Sequence, residues 1–236
     1  MRALAWLVLA IACGGAHALT QDEVLAGAKA MYDARIAAIA RRHALDADAH
    51  FLARATRIAQ RLAAQAARDH PESARWSWEL HTTTDSDENA SCMAGGKLLL
   101  GQPFADSLEL DDAELAMVLA HEMQHALLQH NLQEYAEALR LDPSWRARPF
   151  AELETAVDHD PELMRQLEPL NFAQEREADR EGMLLAVRTG WRATRLAGYF
   201  RKLARASRAP NFDSATHPAP AARWQAARAL AARLDK

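Results

Sequence analysis

Five residues near the middle of the chain, His121-Glu122-Met123-Gln124-His125, have the types and spacing to activate water on a metal ion. At roughly 100° per residue, helix positions four apart lie only about 40° apart, so the two imidazoles can bind one Zn2+ together. Glu122 stands beside them, where a carboxylate can take a proton from a water acidified by the metal. The preceding residues, Leu115 to Ala120 (LAMVLA), are apolar on every side and predict a central, buried helix. Two histidines and a glutamate left unpaired in such a helix are costly, and one metal ion satisfies all three.

A zinc centre that works on a substrate takes a third protein ligand and leaves a fourth position open. Gln174-Glu175-Arg176-Glu177-Ala178-Asp179 offers one, with Glu175 and Asp179 four apart on one helix face. Like charges at that spacing repel mildly, and a nearby dication reverses the sign. Glu177 and Glu181 fall elsewhere and read as surface residues. On a continuous helix His130 lies about 180° round from His121 and should point away from the metal. His43, His50, His70, His81 and His159 lack ligand spacing and read as surface or structural. His217 differs, because Pro218 disfavours helix at the residue before it and presents the imidazole on an extended segment. Such a loop can approach or leave a site without unfolding the core. Three roles stay open for His217: a fourth ligand that excludes water and holds a latent state, a donor to the developing oxyanion, or a plain surface residue. Arg223 could serve as the oxyanion donor instead.

The elements that must position these residues follow from patterning. Val24, Leu25, Ala28, Met31 and Tyr32, continued by Ile36, Ile39 and Ala40, mark a first packing helix, and Asp46 is the expected cap of a second, with Leu52, Ile58 and Leu62. Residues 76–82 alternate as a strand, and Asp85 to Asn89 is turn chemistry. Residues 91–100 read as a second strand, with Gly95-Gly96 inside it marking a bulge or close approach. Asp111 with Glu114 forms a capping box for the helix of the His pair. Pro143, Pro149, Pro161 and Pro169 predict short surface pieces over 141–170, followed by helices at 171–188 and 192–206. A proline-rich loop then leads to a last amphipathic helix with Trp224, Leu230 and Leu234. Abundant alanine and few aromatics favour helix over sheet. A net charge of -4 with no basic block gives no sign of a nucleic-acid partner.

The start of the chain reads as a targeting signal. Arg2 precedes a short apolar run over residues 3–12, well under the ~20 residues needed to span a bilayer. Ala16-His17-Ala18 suits cleavage, so residues 1–18 are an expected signal peptide and 19–236 a single domain, periplasmic or secreted. Ala10-Ile11-Ala12-Cys13 resembles a lipoprotein box, which offers the alternative of a lipid anchor at Cys13 on a bacterial envelope membrane. Cys92 is then a lone cysteine, read as a small buried hydrophobe.

The run from Asp112 through His125, together with Glu175-Arg-Glu-Ala-Asp179 some fifty residues on, resembles the gluzincin peptidases of the HtpX and CAAX prenyl endopeptidase type. It is most similar to their small periplasmic quality-control members, over roughly residues 76–235. The resemblance implies an α+β, mostly helical zincin-type domain, with a small sheet whose edge strand lines the active site. It implies that His121, His125 and Glu175 ligate one zinc per chain, that Glu122 is the general base, and that Asp179 orients a ligand histidine. Asn89-Ala90 and Gly95-Gly96 look like the family's edge strand, which can hold an extended peptide by backbone pairing. Relatives often carry proline before the glycine pair, where this chain has Ala94. Thr216-His217-Pro218 with Arg223 looks like the C-terminal motif of the periplasmic members, which favours the gate among the roles of His217. The expected activity is zinc-dependent endopeptidase cleavage of extended segments in misfolded or unassembled envelope proteins. A zinc-dependent chaperone or holdase is the alternative, against which an intact Glu122 argues. A purely structural zinc site usually takes four Cys or His ligands, a set lacking here unless His217 joins.

Overall fold

The computed structural model describes residues 20–236, so the expected leader, its cleavage point and Cys13 lie outside the described residues. Helix α1 (Gln21–Arg41) starts on a capping box of Thr20 and Glu23 and buries Val24, Ala28, Tyr32 and Ile39. Helix α2 (Ala49–Asp69) buries Phe51, Ile58 and Leu62. Its cap is Asp48 rather than Asp46: Asp48 Oδ1 accepts from the amides of His50 and Phe51, both at 2.9 Å. Asp46 turns the chain at φ 49° and takes the Thr82 amide at 2.8 Å and His81 Nδ1 at 2.6 Å. It therefore ties the loop to the sheet.

The sheet has three strands, β1 (Glu79–Thr83), β2 (Ala90–Met93) and β3 (Lys97–Gly101), in the order β1-β3-β2. Strand β1 runs parallel to β3 and β2 antiparallel to it. The expected first strand thus starts later, at Glu79, and the expected second strand is a hairpin. Gly95 and Gly96, at φ 81° and 78°, make its turn, a conformation that suits glycine. A Cβ on Gly96 would stand 2.6 Å from the Trp78 ring. The hairpin leaves β2 as an edge strand, as the resemblance implied.

Helix α3 (Gln102–Ser107) leads into α4 (Asp112–Leu127), which begins with both halves of the Asp111–Glu114 capping box in place. Leu115 through Ala120 are each at most 2% exposed, so α4 is the central helix its apolar run predicted. It stops at Leu127. Gln129 takes the left-handed φ 57°, and α5 (His130–Leu141) sets off in a new direction.

After a 3-10 turn come α6 (Phe150–His159) and α7 (Pro161–Arg188). The short surface pieces expected over 141–170 give way here to a 28-residue helix that runs through Pro169. Asp160 caps it and Pro161 fits its first turn. The interior proline costs about 3 kcal/mol. Burial of Leu163, Leu167 and Phe172 on either side offsets that at about 1.5–3 kcal/mol per side chain. The helix expected over 192–206 divides into α8 (Ala193–Leu196) and α9 (Gly198–Ala206), and α10 (Pro220–Leu234) closes the chain.

The result is a mostly helical α+β fold with a small mixed sheet. The largest core cluster joins α2, α4, the end of α7, α9 and α10, and a second lies among α1, α5, α6 and the start of α7. Among the described residues no helix is long and apolar enough to cross a membrane.

Candidate metal centre

Two central helices meet where the histidines are. Gly182 on α7 faces the α4 backbone so closely that a Cβ there would lie 2.9 Å from His121 N and 3.0 Å from its Cα. That close approach sets Asp179 and Glu175, one and two turns earlier on α7, against the histidines of α4.

His121 Nε2 and His125 Nε2 are 3.2 Å apart. Glu175 reaches both, with Oε2 3.5 Å from His121 Nε2 and Oε1 3.3 Å from His125 Nε2. Among the described residues these three form a group able to hold a metal ion. The spacing suits zinc, since nitrogen ligands at about 2.0–2.1 Å in a tetrahedron lie roughly 3.3 Å apart. Glu175 Oε2 is buried and, despite charged neighbours at 3.4–3.5 Å, accepts no hydrogen bond among the described residues. The donor set therefore fits a zinc ion.

Each histidine is held from behind. Asp179 Oδ1 stands 2.9 Å from His121 Nδ1, which turns Nε2 toward the cluster. Arg223 on α10, itself buried, grips Asp179 with two hydrogen bonds of 2.8 and 2.7 Å and lies 3.4 Å from Glu175 Oε2. Behind His125, Nδ1 meets His130 Nδ1 at 3.1 Å, and Gln174 donates to the His130 carbonyl at 3.1 Å. His130 lies outside the cluster of ligating atoms yet does not turn away. The left-handed break at Gln129 voids the continuous-helix geometry and puts its ring against His125. Burial, with the nearby His125, pushes the His130 pKa down to about 3, so the ring is neutral.

Charge is arranged around the cluster. Burial alone would raise the Glu175 and Asp179 carboxyls, but His121 and Arg223 outweigh it and hold both below the ordinary range. Burial lowers the His121 pKa, and Glu175 with Asp179 raises it further than that. Glu122 goes the other way: burial pushes its carboxyl up despite the two histidines, and no hydrogen bond engages it among the described residues.

His217 comes to the rim of this group, half exposed, with Nε2 3.5 Å from Glu175 Oε2 and Nδ1 2.7 Å from Thr216 Oγ1. Burial lowers its pKa. His121, Glu122, His125, Glu175 and His217 line a cavity of about 340 Å3 together with β2, from Ala90 to Met93. Glu177 and Glu181 lie outside it, paired with Arg180. His43, His50, His70, His81 and His159 do not join the metal-type cluster.

Gly182, His130, Gln174 and the grip of Arg223 on Asp179 were not legible in the sequence as parts of the site. A glycine three residues past Asp179 on the same helix is the one visible signal, since an interior glycine pays for itself only at a close approach.

A comparison with curated proteins returned no match. The sequence pattern of peptidase family M48 matches residues 52–231, a span that takes in the sheet, the histidine pair, Glu175, Asp179 and Arg223. The chain belongs to peptidase family M48, the gluzincin metallopeptidases.

Proposed function

We propose that the protein is a zinc-dependent endopeptidase in which His121, His125 and Glu175 hold one zinc ion and Glu122 is the general base. The observation that carries this reading is the placement of three ligating atoms, all within 4.8 Å of one another, beside an unengaged carboxylate and an edge strand in one cavity. A zinc ion held there would supply Lewis acidity, polarising a carbonyl and acidifying a water. Glu122 accepts the water proton and returns it to the leaving amine, and burial raises its carboxyl above the ordinary carboxylate value. Strand β2 offers its free backbone edge to an extended peptide. Asp179 keeps His121 in the tautomer that presents Nε2, and Arg223 keeps Asp179 in place.

His217 acts in this proposal as a gate. Its imidazole, 3.5 Å from Glu175, can take the open position, exclude water and substrate, and withdraw with its loop. Arg223 is spoken for by Asp179, which weighs against it as the oxyanion donor. The substrate class we propose is extended segments of misfolded or unassembled envelope proteins. Residues 19–236 form one domain in this proposal, exported behind the 1–18 leader to the periplasm or medium, or anchored through Cys13.

Incubation of the zinc-loaded protein with an unfolded polypeptide tests the activity. Internal fragments that a chelator abolishes and zinc restores are expected. Suppressed aggregation without fragments would favour the holdase instead.

A further inference from the structure

We propose that the part of the cavity walled by α5 and α6 is a subsite for a basic substrate side chain, lysine or arginine, received by Glu154, Glu134 and Asp158. The inference rests on the peptidase reading and adds a specificity that the metal centre does not supply.

The cavity that holds His121, Glu122 and His125 continues past β2 to Asn131, Glu134, Glu154, Asp158 and Asn171. What this wall lacks is donors. Glu154 is only 4% exposed, yet no hydrogen bond or ion pair engages it among the described residues. The Oδ1 atoms of Asn131 and Asn171 are also buried without a partner. Among the described residues, the amide of Asn171, on Glu134, is the one neutral side-chain donor that engages these acids. Arg35 at the same cavity is bound to Glu88 through Nε, at 3.0 Å, and through Nη2, so it reaches Asp158 only at a distance.

Buried acids in a fold that merely needed filling would be paired or absent. Here burial, with Asp158 adding repulsion, pushes Glu134 and Glu154 up to about 7. Burial raises Asp158 as well, against the opposing His159 and Arg35. The wall is thus short of positive charge and hydrogen-bond donors, which an ammonium or guanidinium brings in one group. The ring of Tyr135, buried among the same acids, and Met31 of α1 give the aliphatic stem an apolar flank. A cleft that binds an extended strand along β2 offers alternate side chains to such pockets.

Cleavage-site profiling of a peptide mixture by the zinc-loaded enzyme tests the subsite, paired with thermal unfolding of the metal-free protein. Lysine or arginine is expected at one fixed position relative to the cut. Norleucine at that position should lower kcat/KM by about tenfold or more, as loss of a buried charged contact does. In a Glu134→Gln/Glu154→Gln variant the lysine-to-norleucine ratio should fall toward one, while the unfolding midpoint at pH 8 rises above wild type. Cuts without a basic preference, or a preference that survives the double substitution, overturn the subsite and leave the peptidase reading standing. A lowered midpoint overturns it too, by making the carboxylates structural. No cleavage of any peptide overturns both.

Discussion

Replacing Gly182 by alanine should damage both the fold and the metal centre, against the usual sign of that change. In an ordinary helix interior, glycine to alanine stabilises by about 1 kcal/mol. Here the new methyl would meet His121 N at 2.9 Å, His121 Cα at 3.0 Å and the Ala120 carbonyl carbon at 3.1 Å. Ordinary carbon contacts need about 3.5–4.0 Å, so α4 and α7 must part by roughly half an ångström or more. All three neighbours are backbone, so no rotamer change relieves the clash, and overpacking of this kind costs about 1–3 kcal/mol. Net of propensity, the loss is up to about 2 kcal/mol, or up to roughly 8 °C in the unfolding midpoint for a chain of this size. The same displacement carries Glu175 and Asp179 away from His121. A metal site tolerates only about 0.2 Å in its ligand distances, so zinc affinity should fall about 10–100-fold. Thermal unfolding of the metal-free protein and competition against a chromophoric chelator read the two effects separately. An alanine variant as stable as wild type, with unchanged zinc affinity, would refute the close-approach argument.

Asp179→Asn should weaken zinc about 10–100-fold and destabilise the fold by about 3 kcal/mol, since it removes the carboxylate that grips the buried Arg223 and leaves it only Glu175, at 3.4 Å; chelator competition and urea unfolding check it, and an unchanged pair of values contradicts the assigned role. His217→Ala should raise kcat with unchanged zinc content if the imidazole is a gate, whereas a lowered kcat would make it a transition-state donor. Glu134 and Glu154 have folded pKa values of about 7 against an ordinary 4.5, so their contribution to stability is whole below the ordinary value and is lost as pH rises through 7. The midpoint advantage of the double glutamine variant over wild type should therefore grow from pH 5 to pH 8 in the metal-free protein, and parallel curves would contradict this.

What could be read in the sequence was what periodicity and local chemistry write down. The apolar LAMVLA run, the Asp111 cap and the four-residue spacings fixed the central helix and the faces of His121, His125, Glu175 and Asp179. What could not be read depended on tertiary partners. Pro169 looks like a breaker until the burial of Leu167 and Phe172 is counted. Asp46 and Asp48 are equally good caps on paper, and the sheet decides by taking Asp46 for Thr82 and His81. The turn at Gln129 carries no glycine or proline, so the placement of His130 behind His125 had no local mark. The acid wall of the cavity draws on two helices and the middle of a third, and no spacing within one segment brings Glu134, Glu154 and Asn171 together.

The most direct test of the zinc and general-base assignment is turnover of an unfolded polypeptide by wild type and by Glu122→Gln, each with its zinc content measured on the same sample. About one zinc per chain is expected in both proteins and cleavage by the wild type alone, because glutamine keeps the shape of the side chain and cannot accept the proton. Cleavage by Glu122→Gln at a rate near wild type, with zinc in place, would contradict it.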